Sequence, residues 1–417
     1  MDKNTVLVRG ARQLLTLRGP IGPRRGPALQ DLTIIPDGAL LIRNGRIEDV
    51  GPTRRIENLA AARDAQVINA AGRIVMPGFV DSHTQIVFAH SGTRAHDPAY
   101  DGRASIQSGV LALQAVSGRW LQRHALALAE GMLRHGTCSI EAKSLYGLDD
   151  VSLMKTLRVR AALNGKPVDI VSTVLVPGPL PGEYVDCLDA YLDRLLTKTL
   201  PRIRHRKLAR FVDIRCEDGV FNRAQVKRFL EGAAQLGFHT KMQTGDGSSG
   251  GCVDLAAELR IVAISCFRHI TPAETAVLAR SSTIATLLPG SVFKNGGELD
   301  ESARRLIKEG GIVALASNSN PDTNPGYNMQ NAIALACRNM GMTAAQAISA
   351  ATINGAFALG SAARIGSLEP GKNANLLLMN VSDYRDIPYS AGVNNVHMTV
   401  KDGAVIYTEG GVAKRAS

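Results

Sequence analysis

The alternation of apolar and polar positions divides the chain into a β-rich start, a long alternating middle and a β-rich end. Short strand-like runs fall at 4–10 and 38–50. Within the second, Ala39-Leu40-Leu41-Ile42-Arg43 and Arg46-Ile47-Glu48-Asp49-Val50 flank Asn44-Gly45. That dipeptide supplies the positive φ angles of a two-residue turn, so the spacing predicts a hairpin. Val67-Ile68-Asn69 and Arg73-Ile74-Val75 add further β-character. Between the first runs, Gly19 to Pro27 is rich in Gly, Pro and Arg and reads as an exposed loop.

From Phe79 the period changes. Continuous apolar runs predict buried strands at 79–83, 137–143, 168–175, 208–215, 238–243, 261–265, 283–287 and 311–316. Helical patterns at 121–135, 150–163, 184–198, 222–236, 252–260, 272–280 and 300–309 lie between them, and those at 327–338, 342–351 and 353–360 complete the layer. Strand then helix, repeated about eight times, predicts an α/β fold of (β/α)8 TIM-barrel type over residues 78–360. After 364, Ala374-Asn375-Leu376-Leu377-Leu378-Met379, the alternating Val396, Met398 and Val400, and Ala404-Val405-Ile406-Tyr407 return to β-character. Neither end alone buries a sheet face, so 1–77 and 361–417 are expected to build one small β-sandwich domain together.

Composition narrows the function classes. Hydrophobic residues make up 45% and charged residues 20%, enough for a large core and against global disorder. The net charge of +11 favours an anionic ligand only weakly. The densest basic run, Arg202-Ile203-Arg204-His205-Arg206-Lys207, has no interleaved aromatics and reads as a solvated helix face, so no nucleic acid is expected. The six cysteines are scattered without a Cys-x-x-Cys pair, which predicts neither a disulfide framework nor a zinc cluster and suits a reducing cytoplasm. Met1-Asp2-Lys3-Asn4-Thr5 lacks the apolar region of a signal peptide, and no apolar run reaches the roughly 18 residues of a membrane span.

The chemistry centres on Val75-Met76-Pro77-Gly78-Phe79-Val80-Asp81-Ser82-His83-Thr84-Gln85, a turn followed by a buried strand with a polar end. Residues two apart on a strand point to the same side, so His83 and Gln85 share a face. Further distinctive stretches are Arg94-Ala95-His96-Asp97, Glu141-Ala142-Lys143-Ser144-Leu145-Tyr146-Gly147-Leu148, Leu287-Leu288-Pro289-Gly290 and Ile365-Gly366-Ser367-Leu368-Glu369-Pro370-Gly371-Lys372. On these residues the chain resembles the imidazolonepropionase family of the amidohydrolase superfamily, from about residue 37 onward.

The resemblance implies a zinc- or iron-dependent, ring-opening hydrolase and a homodimer. It also implies metal ligands at His83, Gln85, Gln243 and Asn318, with a further substrate and water contact at Cys266. The family has His where Gln85 and Gln243 stand and Asp where Asn318 stands, so three ligand positions carry neutral amides. Such oxygens are a poor exchange for imidazole or carboxylate, and no tightly bound catalytic metal or other cofactor is expected. The ligand side matches better. Arg94 and Tyr146 correspond to the family's carboxylate contacts, Asp246 to a ring contact and Asn320 to another substrate contact, whereas Gly178 falls where the family has a loop His. A small anionic carboxylate is thus the expected partner, with no nucleic acid and no membrane.

Each candidate has a plainer alternative. His83 is either an acid/base or a barrel-mouth His held by hydrogen bonds. Asp246 is either a general base with a pocket-raised pKa or a turn residue. Cys266 is a nucleophile only if a cation such as His269 makes it a thiolate; otherwise it is a small buried hydrophobe. Lys143, at a strand end, is a Schiff-base candidate or, as the resemblance implies, structural. Arg94 is a carboxylate clamp or a loop salt bridge. Two motifs are decoys. Gly245-x-Gly247-x-x-Gly250 lacks the acidic residue a dinucleotide site needs about 20 positions on. In Gly366-x-x-x-x-Gly371-Lys372, Asn373 replaces the Ser/Thr of a phosphate loop.

Three functional readings follow. In the first, a metal-independent enzyme acts on a small, carboxylate-bearing N-heterocycle or cyclic amide by C–N ring opening, closure or isomerisation. In the second, an inactive relative binds a small ligand or partner. In the third, a metalloenzyme uses atypical ligands.

Overall fold

The computed structural model describes residues 5–89, 102–178, 180, 187–217, 220–245, 251–265, 270–294, 301–321 and 324–412. The β-rich start forms strands β1 (Thr5–Leu15), β2 (Ile34–Arg43), β3 (Arg46–Pro52), β4 (Gln66–Asn69) and β5 (Ile74–Pro77). The β2–β3 hairpin turns where expected, with Asn44 at φ +51° and Gly45 at φ +76°. The middle supplies β6 (Phe79–Thr84), β7 (Thr137–Lys143), β8 (Asp169–Val176), β9 (Phe211–Cys216), β10 (His239–Thr244), β11 (Ala263–Ser265), β12 (Ile284–Leu287) and β13 (Val313–Leu315). These pair in sequence order, each parallel to the next. The last unit reaches the first through a parallel bridge between Thr84 and Ser319 and a 2.8 Å bond from Gln85 N to Ser319 O. The result is the expected (β/α)8 barrel.

The remaining strands, β14 (Leu376–Met379), β15 (Val396–Lys401), β16 (Ala404–Thr408) and β17 (Gly411–Val412), join β1–β5 in one nine-stranded mixed sheet. Its seam is the antiparallel pair β14–β5, which ties the C-terminal part of the chain to the strand just before the barrel. Leu376, Leu377, Leu378 and Met379 are all buried, so this strand is apolar throughout because both of its faces are covered.

Helices pack around the barrel between its strands. Thr271 caps helix Pro272–Arg280 and Thr343 caps Ala344–Ala351, each in a capping box with the residue three positions on. Helix Gly102–Ala115 is an addition to the expected set. The 19–27 stretch departs from a simple exposed loop. Ile21 is in solvent, yet Arg24 is buried, donating from Nη2 to Leu17 O and from its backbone N to Asn354 Oδ1. The Leu17 carbonyl takes part of the guanidinium's hydrogen bonding, while Nε has no partner among the described residues. The basic run behaves as expected: Ile203 faces the core while Arg204, His205, Arg206 and Lys207 are exposed. Lys372 bonds Ser367 Oγ and pairs with Glu369 across a turn, a structural use of the phosphate-loop look-alike. The other look-alike lies mainly outside the described residues.

The cysteine expectation is corrected. Cys216 and Cys252 form a disulfide, their Cα atoms 6.0 Å apart. They are 36 residues apart in sequence and are brought together by the β9–β10 pairing.

Candidate active site

The C-terminal halves of barrel strands carry polar side chains spaced two residues apart, which the pleat turns to one side: Asp81, His83 and Gln85 from β6 and its extension, Glu141 and Lys143 from β7, Lys241 and Gln243 from β10. Asp213 joins them from β9. The four charges form one interior network. Lys143 Nζ lies 2.5 Å from Asp213 Oδ2 and 3.8 Å from Glu141 Oε2, and Lys241 Nζ lies 2.9 Å from Glu141 Oε1. Thr173 Oγ1 donates to Glu141 Oε1 at 2.5 Å. Burial pushes the Lys241 pKa down and the Asp213 pKa up, the latter against the pull of Lys143. Lys143 is therefore built into a paired network, which favours its structural reading.

His83 is buried beside this network. Burial first, then the positive charges of Lys143 and Lys241, hold its pKa well below the ordinary value, so the imidazole is neutral. Its Nδ1 has no hydrogen-bond partner among the described residues, and neither has Gln85 Oε1. Gln243 donates from Nε2 to Asp213 Oδ2 at 3.2 Å. Asn318 adopts φ +55°, a left-handed conformation that Asn tolerates better than most residues, and its Nδ2 donates to Ser291 Oγ at 2.8 Å. Asn320 Nδ2 donates to Asn318 O at 2.8 Å. Below them, Asp81 accepts from Ser317 N and Ser317 Oγ, and burial raises its pKa to about 7.

The fold thus brings His83 and Gln243 to one charged network, with Gln85, Asn318 and Asn320 gathered where β6 meets the chain after β13. Tyr146 lies on the chain just after β7. It is 2% exposed and packed in an apolar cluster with Val110, Leu113 and Leu148. Gly178 lies near Val220 and Arg215. Arg94, Asp246, Cys266 and His269 fall outside the described residues. Sequence reasoning passed over Asp81, Glu141, Asp213 and Lys241. Their signal is a charge inside a segment that reads as a buried strand, which such a strand carries only when the charge is paired. Among the described residues, no group of three or more His, Cys, Asp and Glu side chains is placed to hold a metal ion.

Residues 255–406 match the family described as Amidohydrolase family. The chain is 38% identical to the imidazolonepropionase of Symbiobacterium thermophilum over 98% of its own length and 99% of that protein. It is 36% identical to the imidazolonepropionase of Geobacillus kaustophilus, again over 98% and 99%. Among solved structures it shares the fold of E. coli guanine deaminase, with a TM-score of 0.71 at 16% identity over 98% of this chain and all of that one. An adenosine deaminase from Xanthomonas campestris with bound zinc superposes equally well, at 0.71 and 18% identity over 97% and 93%. With identity above a third over nearly the full length of both imidazolonepropionases, the chain belongs to the imidazolonepropionase family of amidohydrolases.

Proposed function

We propose that this chain is a metal-independent enzyme of its family, acting on a small carboxylate-bearing N-heterocycle or cyclic amide and opening, closing or isomerising a ring at a C–N bond. The carrying observation is the donor set at the family's metal positions: one neutral imidazole, His83, and three amides, Gln85, Gln243 and Asn318. Two of those amides spend their NH2 groups on Asp213 and Ser291. No carboxylate stands among the four to balance a dication, so the set does not fit the zinc or iron of the resemblance.

In this reading Arg94 and Tyr146 hold the substrate carboxylate, and Gln85, Gln243, Asn318 and Asn320 hydrogen-bond the ring. The proton-moving groups are Asp246 and His83. Burial, and then Lys143 and Lys241, make an imidazolium at His83 unfavourable, which leaves His83 a weak base and puts the main proton transfer on Asp246. The rate would come from fixed dipoles and proton transfer.

The test is metal content per chain after expression with added zinc and iron and gentle purification, followed by assay of carboxylate-bearing cyclic amides with and without chelator. Near-zero metal with chelator-insensitive turnover is expected. About one metal per chain, with activity lost to chelator, would overturn the reading. Ligand-induced stabilisation without product would instead favour a binding protein.

A further inference from the structure

The Cys216–Cys252 cross-link sits at a mechanically significant place. Cys216 is the last residue of β9 and pairs in register with Thr244, the last residue of β10. Cys252 is the first residue of helix Cys252–Glu258. The chain that leaves β10 beside Cys216 is therefore bonded back to Cys216 when the next helix begins. On its other side the helix is held by Arg223, whose Nη1 donates to Gly251 O at 2.7 Å and whose Nη2 meets Glu258 at 2.9 Å.

The same place accommodates the two thiols. Both residues are 2% exposed and share a core with Ile214, Phe221 and Val253, where a thiol packs as a small hydrophobe. Cys252 Sγ lies 3.2 Å from Cys216 O, so once side-chain rotation separates the two sulfurs a Cys252 thiol has an acceptor within reach. The reduced pair would hold the helix start by one weak S–H···O bond, the oxidised pair by a covalent bond.

We propose that Cys216 and Cys252 form a redox-responsive brace between the fourth and fifth strand–helix units of the barrel, locked by a low-molecular-weight disulfide and released by a thiol. In locking, the thiolate of one cysteine attacks the small disulfide, forming a mixed disulfide and expelling one small thiol. The other cysteine displaces the second small thiol and closes the protein bond. The two protein thiols are oxidised, the small disulfide is reduced to two thiols, and the two protons pass to them. Because both sulfurs are buried, exchange requires local opening at the helix start, and release is slower than for an exposed disulfide.

The experiment uses the full chain, equilibrated with glutathione disulfide or with dithiothreitol, alkylated under denaturing conditions and mapped by mass spectrometry. Oxidised protein should show Cys216 and Cys252 linked and reduced protein should show both alkylated, interconverting through repeated cycles without unfolding. Native-state proteolysis within 217–251 should be at least about tenfold faster in the reduced form. A Cys216→Ala/Cys252→Ala variant should lose that difference; if it fails to fold, the two forms of the unmodified chain carry the comparison alone. Free thiols at both positions after oxidant, a bond the native protein never yields to dithiothreitol, or equal proteolysis of the two forms would each overturn the proposal.

Discussion

Lys143 and Asp213 meet at 2.5 Å inside the barrel, both almost completely shielded from solvent. The same Asp213 oxygen accepts from Gln243, so the ion pair also orients an amide at one of the family's metal positions. Removing one partner strands the other charge in a low-dielectric interior. Lys143→Met should therefore cost about 3–5 kcal/mol of stability, read from the shift in urea midpoint. Lys143→Met/Asp213→Leu, which removes both charges, should cost clearly less than Lys143→Met alone. Equal losses would mean that packing, not charge, sets the penalty.

The metal reading has a constructive test. Gln85→His, Gln243→His and Asn318→Asp together replace three neutral amides by two imidazoles and a carboxylate beside His83. If those amides alone keep zinc out, the triple variant should bind about one zinc per chain while the unmodified chain binds none, as counted by elemental analysis after desalting. Equal, near-zero binding in both would place the obstacle elsewhere in the pocket, the Asp213 contact to position 243 being the first candidate.

Much of this architecture is readable along the chain because its rules are local. Runs such as Val313-Ala314-Leu315 and Phe211-Val212 mark strands covered on both faces, and Asn44-Gly45 marks a hairpin whatever surrounds it. What escapes reading is what distant segments do to one another. Glu141 and Lys241 pair across the barrel from strands that are not neighbours, so no window of sequence holds both. Arg24 reads as a loop charge until Leu17 and Asn354 enclose it. Cys216 and Cys252 show no spacing signature because the β9–β10 ladder, not the chain between them, sets their distance. At the candidate site, identities at positions 83, 85, 243 and 318 are visible at once, whereas the neutrality of His83 depends on its burial and then on two lysines contributed by other strands.

Gly109 controls the setting of Tyr146. A Cβ at position 109 would lie 2.5 Å from Tyr146 Cδ1 and 2.6 Å from Cε1, closer than packed atoms approach. The ring has apolar neighbours and little room to retreat. Gly109→Ala should gain helix propensity but lose more through overpacking, a net destabilisation of about 1–3 kcal/mol in thermal or urea unfolding. If Tyr146 contributes to carboxylate binding, affinity for a small carboxylate should fall in the same variant while the far-ultraviolet spectrum stays unchanged. An unchanged affinity would assign Tyr146 to packing alone.

Cys138 offers a pH test without any variant. Its thiol is buried at the start of β7, and burial pushes its pKa up to about 12. The thiolate is the reactive form, so iodoacetamide should leave Cys138 unmodified in the native protein from pH 7 to about pH 10, while exposed Cys187 is labelled. The same shift enters stability. An unfolded Cys138 ionises near the ordinary thiol value and the folded one does not, so above that value the folded state holds the extra proton. The contribution of Cys138 to stability is complete below about pH 9 and is lost as pH rises from there towards about 12. Cys138→Ala should flatten that alkaline part of the stability profile, apart from a constant loss for the missing sulfur. A Cys138 that alkylates as fast as Cys187 at neutral pH would show that the strand start opens readily and that burial does not govern this thiol.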